Sequence, residues 1–294
     1  MTKTSAPMAT NLRAALWMLG AIASFTSMAV AGRAVSHLHD TFEIMFYRSA
    51  VGVAIVLCVI VLGRRRTEVS TANLPMQLFR NVCHFTGQNL WFLAITLAPL
   101  AQVFALEFTA PLWVLLLAPV ILGERVRRVQ YLVALVGFAG VLLVAQPFSG
   151  TMAPGVLWAG LAAVFFALTN LLTRRLTRTE SVLSILFWLT TLQLLFGFVC
   201  AGIDGAFALP SAATLPWLCL IGLAGLSAHF CLTNALALAP ASTIMPVDFV
   251  RLPLAALIGA YLYGEGVDPL VLIGGAVILG AAWANLRLAD VRQS

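Results

Sequence analysis

Residues 97–124 read LAPLAQVFALEFTAPLWVLLLAPVILGE, and residues 238–265 read LAPASTIMPVDFVRLPLAALIGAYLYGE. Both stretches open Leu-Ala-Pro, place an acid before a phenylalanine at the same point (Glu107-Phe108 and Asp248-Phe249) and close on Gly-Glu (Gly123-Glu124 and Gly264-Glu265). Working outward at the same offset, Leu16-Trp17 falls on Leu157-Trp158, Phe25 on Phe166, Arg33 on Arg174 and Ala94 on Ala235. Matches of single Leu or Ala mean little in so apolar a chain. Agreement of Trp, Pro and Gly-Glu at one offset, from end to end, is harder to produce by chance. The chain therefore reads as two copies of one unit, residues 1–146 and 147–294.

What each copy builds follows from composition. Of 294 residues, 61% are hydrophobic and only 10% are charged, with a net charge of +6. A soluble domain carries roughly 25% charged residues, so this chain lacks the charge to cover itself in water. Stretches near 14–32, 42–63, 78–98, 100–122, 129–146, 154–173, 181–201, 215–238, 241–263 and 268–287 are apolar. Each approaches the ~20 residues that cross a bilayer. The expected fold is an all-α polytopic membrane protein with ten transmembrane helices in two five-helix repeats. Ala29-Val30-Ala31 after a basic start resembles a signal-peptide cleavage site. The repeat includes that first helix, however, so it is read as a retained span.

Five spans per copy is odd, so the copies must be inverted relative to each other. The arginines agree. With the N-terminus inside, Arg64, Arg65, Arg66, Arg125, Arg127, Arg128, Arg174, Arg175 and Arg178 all fall on the inner side, and Arg33 alone falls outside. Both termini are expected in the cytoplasm, with the chain in the inner membrane of a bacterium. The basic residues serve topology, and a nucleic-acid partner is not expected.

Several chemistries are excluded by counting. Lys3 is the sole lysine, so neither a phosphate-binding P-loop nor a Schiff-base lysine in the core exists. Cys58, Cys83, Cys200, Cys219 and Cys231 form no C-x-x-C pair and read as small packing residues. No H-E-x-x-H or G-x-S-x-G is present. An enzyme is not expected, nor a cofactor or a bound metal. A polytopic membrane enzyme or a receptor stands as the alternative of another class, and neither accounts for the inverted copies.

Inverted repeats are a common construction in secondary transporters, with the solute site near the pseudo-two-fold axis at mid-membrane. Two five-helix copies, the Phe46-Tyr47-Arg48 element in the second span, and a fourth span with Pro111 closing on Gly123-Glu124 resemble the EamA-type drug/metabolite transporters. The resemblance covers nearly the whole chain. It implies spans one to four and six to nine around a central cavity, with spans five and ten at the periphery. It implies transport but no particular solute. Arg48 departs from the repeat, because Leu189 stands at the equivalent position.

Charges inside spans are costly, so each is a functional candidate. Glu107 and Asp248 are repeat-equivalent and each lies seven residues into its span, roughly 10 Å deep from opposite faces. Depth puts Arg48 level with Glu107, and His84 level with Asp248. Arg251 stands three residues after Asp248, close enough to neutralise it. Arg80, His84 and Gln88 share a helical stripe, with Asn89 and Trp91 beside it. The candidate binding or coupling set is thus Glu107, Asp248, Arg251, His84, Gln88, Asn89, Trp91, Arg48 and Tyr47. His37 and His39 are expected to be solvated in an outer loop, and Glu124 to shape a loop or a gate. The expected activity is alternating-access transport of a small polar or aromatic metabolite, a vitamin such as riboflavin or an amino acid. Export of amino-acid metabolites or drugs is the alternative. Protons are the expected coupling ion, and the spacing sets no oligomeric state.

Overall fold

The computed structural model describes residues 5–35, 38–97, 103, 106–145, 155–203, 208–252 and 269–290. The helices are α1 (Ser5–Val35), α2 (Thr41–Leu62), α3 (Leu74–Leu97), α4 (Ala110–Leu122), α5 (Arg128–Ala145), α6 (Gly155–Leu176), α7 (Val182–Ala201) and α8 (Leu215–Leu238). A short α9 (Ala241–Ile244) runs on into a 3₁₀ segment, Met245–Val250, and α10 (Pro269–Asp290) follows. Gly264-Glu265 and Pro99, which help to define the repeat, lie outside the described residues.

Local sequence accounts for the helix ends. Asp40 and Glu43 form a reciprocal capping box at the start of α2, satisfying backbone donors that the helix itself leaves open. The Ser181 hydroxyl accepts the Ser184 N–H at 3.0 Å and starts α7. Gly123 ends α4 with φ of 67°, a left-handed turn that disfavours any residue with a Cβ.

The distribution of polarity is inverted relative to a water-soluble protein. Leu62, Val120 and Leu209 are each more than 80% exposed, whereas Gln77, Arg80 and Asn81 are almost completely buried. Apolar surface of this extent suits lipid, not water. Among the described residues, five helical stretches are both long and apolar enough to span a membrane: Thr10–Gly32, Thr41–Leu62, Gly155–Leu176, Val182–Ala201 and Leu215–Leu238. The α3 helix has the length, but its buried stripe of Gln77, Arg80, Asn81, His84 and Gln88 lowers its hydropathy. The helix least like a membrane span is the one that carries the polar interior.

Helix pairing displays the repeat. The α1 helix packs chiefly on α8, and α3 chiefly on α6; exchanging the two copies turns one pairing into the other. The remaining major pairings, α2 with α7 and α5 with α10, each join equivalent helices. Small residues permit these close approaches. A Cβ on Gly140 would sit 2.9 Å from the Gly274 carbonyl oxygen on α10, and one on Gly197 only 3.0 Å from the Phe46 nitrogen on α2. The equivalent rings Phe108 and Phe249 meet edge to face at 6.3 Å, as residues beside a pseudo-two-fold axis should.

Candidate functional site

The polar interior is divided into two centres. The first gathers around Arg251, just beyond the 3₁₀ segment. Its Nη2 donates to Glu107 Oε1 at 2.5 Å and to Asp248 Oδ2 at 3.1 Å, so one guanidinium bridges the two repeat-equivalent acids. Trp91 on α3 donates its indole N–H to Glu107 Oε2 at 2.7 Å. The guanidinium also lies over the rings of Phe108, at 5.0 Å, and Phe25, at 5.6 Å, both favourable cation–π distances. Both oxygens of Glu107 are thereby engaged, while buried Asp248 Oδ1 and Arg251 Nε have no partner among the described residues.

The second centre lies between α2, α3, α7 and α8. Buried Arg80 donates to Thr173 Oγ1 at 3.0 Å and to Asn81 Oδ1 at 3.3 Å. Gln193 reaches from α7 to the Asn81 carbonyl at 2.9 Å. His84 and His229 meet edge to face at 4.8 Å, and Arg48 approaches the same region from α2. Phe25 connects the centres: its ring packs edge to face with His229 at 5.6 Å on one side and receives Arg251 on the other.

Of the residues expected to act together, Glu107, Asp248, Arg251 and Trp91 converge. Arg48 and His84 do not join them. Depth alone placed Arg48 beside Glu107, yet α2 directs the guanidinium toward α7 and α8, where it meets Met45 Sδ at 3.5 Å and the Gly225 face. His84 meets His229 and Phe166 instead of Asp248. Gln88 is buried on the α3 stripe, and the Asn89 amide donates back to the Phe85 carbonyl of its own helix at 2.8 Å. Tyr47 stands apart from both centres, donating its hydroxyl to the Ala208 carbonyl at 2.7 Å.

Each end of the bundle is tied by a carboxylate. At the α2 N-terminus, Glu43 accepts from the Ala208 N–H at 2.6 Å and lies 3.1 Å from His39 Nδ1. His39 also contacts Thr214 Oγ1 at 3.3 Å. The expectation that His39 is solvated is therefore corrected: it is only 6% exposed, because the turn after α1 folds it onto α2 and the start of α8. At the opposite end Glu124 pairs with Arg174 of α6 at 3.4 Å and faces the Ser242 hydroxyl of α9 at 3.4 Å. His37 lies outside the described residues. Sequence reasoning missed His229, Gln193 and Asn81. Their signal was a polar residue inside a helix: His229 and Gln193 each interrupt an apolar span, and Asn81 stands four residues after Gln77 on the α3 stripe.

The helices of the described residues, arranged as two copies around a polar interior, define a polytopic transporter. The chain matches the EamA-like transporter family over residues 12–146 and 153–287, and it belongs to that family. Members of the family are transporters, not enzymes, and the chain is an integral membrane protein that carries a small molecule. It is similar to an S-adenosylmethionine uptake transporter of Rickettsia felis, 25% identical over 90% of this chain and 89% of that protein. A riboflavin transporter of Rhizobium johnstonii is 33% identical over 71% of this chain and 69% of that one. A pseudopaline exporter of Pseudomonas aeruginosa is 29% identical over 92% and 95%. One solved crystal structure superimposes with a TM-score of 0.81 at 20% identity, covering 96% of this chain and 99% of that chain, a likeness of fold.

Proposed function

We propose that the chain is a proton-coupled secondary transporter of the bacterial inner membrane, working by alternating access with both termini in the cytoplasm. The observation that carries this reading is the Arg251 bridge. A cation of the second copy holds Glu107 of the first and Asp248 of its own, so a change at this bridge alters how the two copies meet. Asp248 has the longer contact and a free oxygen, which makes it the acid that Arg251 releases first and the seat of a coupling proton. With no P-loop in the chain, the driving force is a gradient or an exchange.

The solute is a small polar or aromatic metabolite, either a vitamin such as riboflavin or an amino-acid derivative such as S-adenosylmethionine. Phe25, Phe108 and Trp91 offer ring surfaces beside the charged centre for a planar solute. Similarity to the pseudopaline exporter over 92% of the chain supports a second reading, export of amino-acid metabolites through the same centre.

Counterflow of labelled riboflavin and S-adenosylmethionine in proteoliposomes tests the function, and inside-out vesicles read the direction. The coupling role predicts that Asp248→Asn abolishes uptake driven by a pH gradient while retaining solute exchange. If Glu107→Gln and Asp248→Asn both keep wild-type uptake and pH dependence, proton coupling at this centre is refuted.

A further inference from the structure

Arg48 and His229 line one cleft, His84 packs edge to face on His229, and Arg80 lies one turn before His84 on α3; among the described residues none of the four pairs with a carboxylate. Arg80 is accommodated by Thr173 and Asn81. Arg48 is not. It is 7% exposed, and its contact is the thioether of Met45, a weak acceptor. Burying a cation without a counter-charge is costly, and buried cations are ordinarily paired.

The unpaired groups face one place. A narrow cleft between α2, α7 and α8, with room for about one water-sized group, is lined by Arg48, Thr190, Gln193 and His229 and by the apolar Leu189 and Leu226. Among the described residues, both ring nitrogens of buried His229 and Oε1 of Gln193 have no partner. Gly225 leaves the space that the guanidinium occupies, since a Cβ there would collide with Arg48 Nε. The cleft thus holds a planar fork of charged donors and a histidine able to donate from either ring nitrogen, and among the described residues no carboxylate lines it.

We propose that this cleft receives one oxygen of a carboxylate group of the transported solute, held by Arg48 and supported by His229 and Gln193. A carboxylate supplies the negative charge that the buried guanidinium lacks, and the planar Arg48 fork holds an acceptor oxygen more rigidly than an ammonium would. It also suits a tight cleft flanked by neutral amide and hydroxyl groups better than a tetrahedral phosphate does. The inference deepens the transporter reading and rests on it. It narrows the solute to one bearing an acid group, whose remainder extends past Phe25 toward the Glu107–Asp248–Arg251 centre. Under this assignment an amino-acid derivative is favoured over an uncharged vitamin.

The test uses the purified full-length chain in nanodiscs, with unfolding midpoints measured at matched ionic strength. The probes are sodium acetate, sodium chloride, sodium phosphate and acetamide. Acetate raises the wild-type midpoint by roughly 2–4 °C over chloride, and acetamide does not. Arg48→Gln loses that shift. Arg48→Lys, which keeps the charge without the fork, retains less than half of it. The absence of an acetate shift in the wild type, or an equal shift in Arg48→Gln, overturns the proposal. A phosphate shift larger than that of acetate overturns the carboxylate assignment. Counterflow separates this outcome from the parent reading: an acetate shift in a chain that moves no solute refutes transport and leaves the anion site standing.

Discussion

The two buried centres differ in how their charges are compensated. Around Arg251 a single guanidinium is held by two acids, an indole N–H fixes one of those acids, and two aromatic rings flank the cation. Around Arg48 the donors accumulate with no carboxylate beside them among the described residues, and the guanidinium rests against sulfur and a glycine face. The first centre is closed upon itself; the second is complete only with something added. Burial of a charge therefore has two meanings in this molecule, and the partners distinguish them.

Substitution tests this contrast most strongly at Arg251. Arg251→Leu leaves Glu107 and Asp248 buried without their cation, and stability falls by about 3–5 kcal/mol. Denaturant or thermal unfolding in detergent reads the loss, and adding Glu107→Gln with Asp248→Asn recovers much of it. Next is Trp91→Phe, which removes a hydrogen bond to a charged acceptor and costs about 1.5–3 kcal/mol. At the second centre Gly225→Ala drives a methyl group into the Arg48 guanidinium and costs about 1–3 kcal/mol. A double-mutant cycle with Arg48→Gln shows most of that cost vanishing, because the shorter side chain leaves room. Arg48→Gln by itself is the smallest effect, within ~1 kcal/mol of zero or mildly stabilising, since it removes a charge that had no partner. A loss at Arg48 as large as that at Arg251 would abolish the distinction between the centres.

Much of the architecture could be read along the chain. Hydropathy placed seven of the ten spans within four residues of the described helices, whereas α1 begins nine residues before its expected span and the fourth and ninth spans coincide with described helix only in part. The 141-residue offset paired Phe108 with Phe249, whose rings meet in the structure, and Glu107 with Asp248, which the Arg251 guanidinium bridges. Depth, however, is one coordinate of three. It put Arg48 level with Glu107, but the face that a residue presents depends on which helices surround it, and α2 packs on α7 and α8. The same gap hid the Arg251–Glu107 bridge, which spans the two copies, in favour of the local Arg251–Asp248 pair. His39 was misjudged because loop position suggested water, whereas Glu43 of α2 and Thr214 at the start of α8 both bond it. Neutral polar residues such as His229 and Gln193 gave a weak signal in one dimension and became visible only when their unpaired atoms were seen to face one cleft.

The pairing of α1 with α8 also sets a timetable for biogenesis. About 180 residues separate the end of α1 from the start of α8. At ~5–20 residues per second, the first helix synthesised waits roughly 10–40 s for its principal neighbour. During that interval its inward face, including Asn11 and Thr26, has only the earlier helices and lipid for company. Assembly cannot finish one copy and then the other, because each copy's first helix is completed by the third helix of its counterpart. The nascent chain is thus committed to a late, concerted closure, and truncation before α8 would strand α1 in the bilayer as a substrate for quality control.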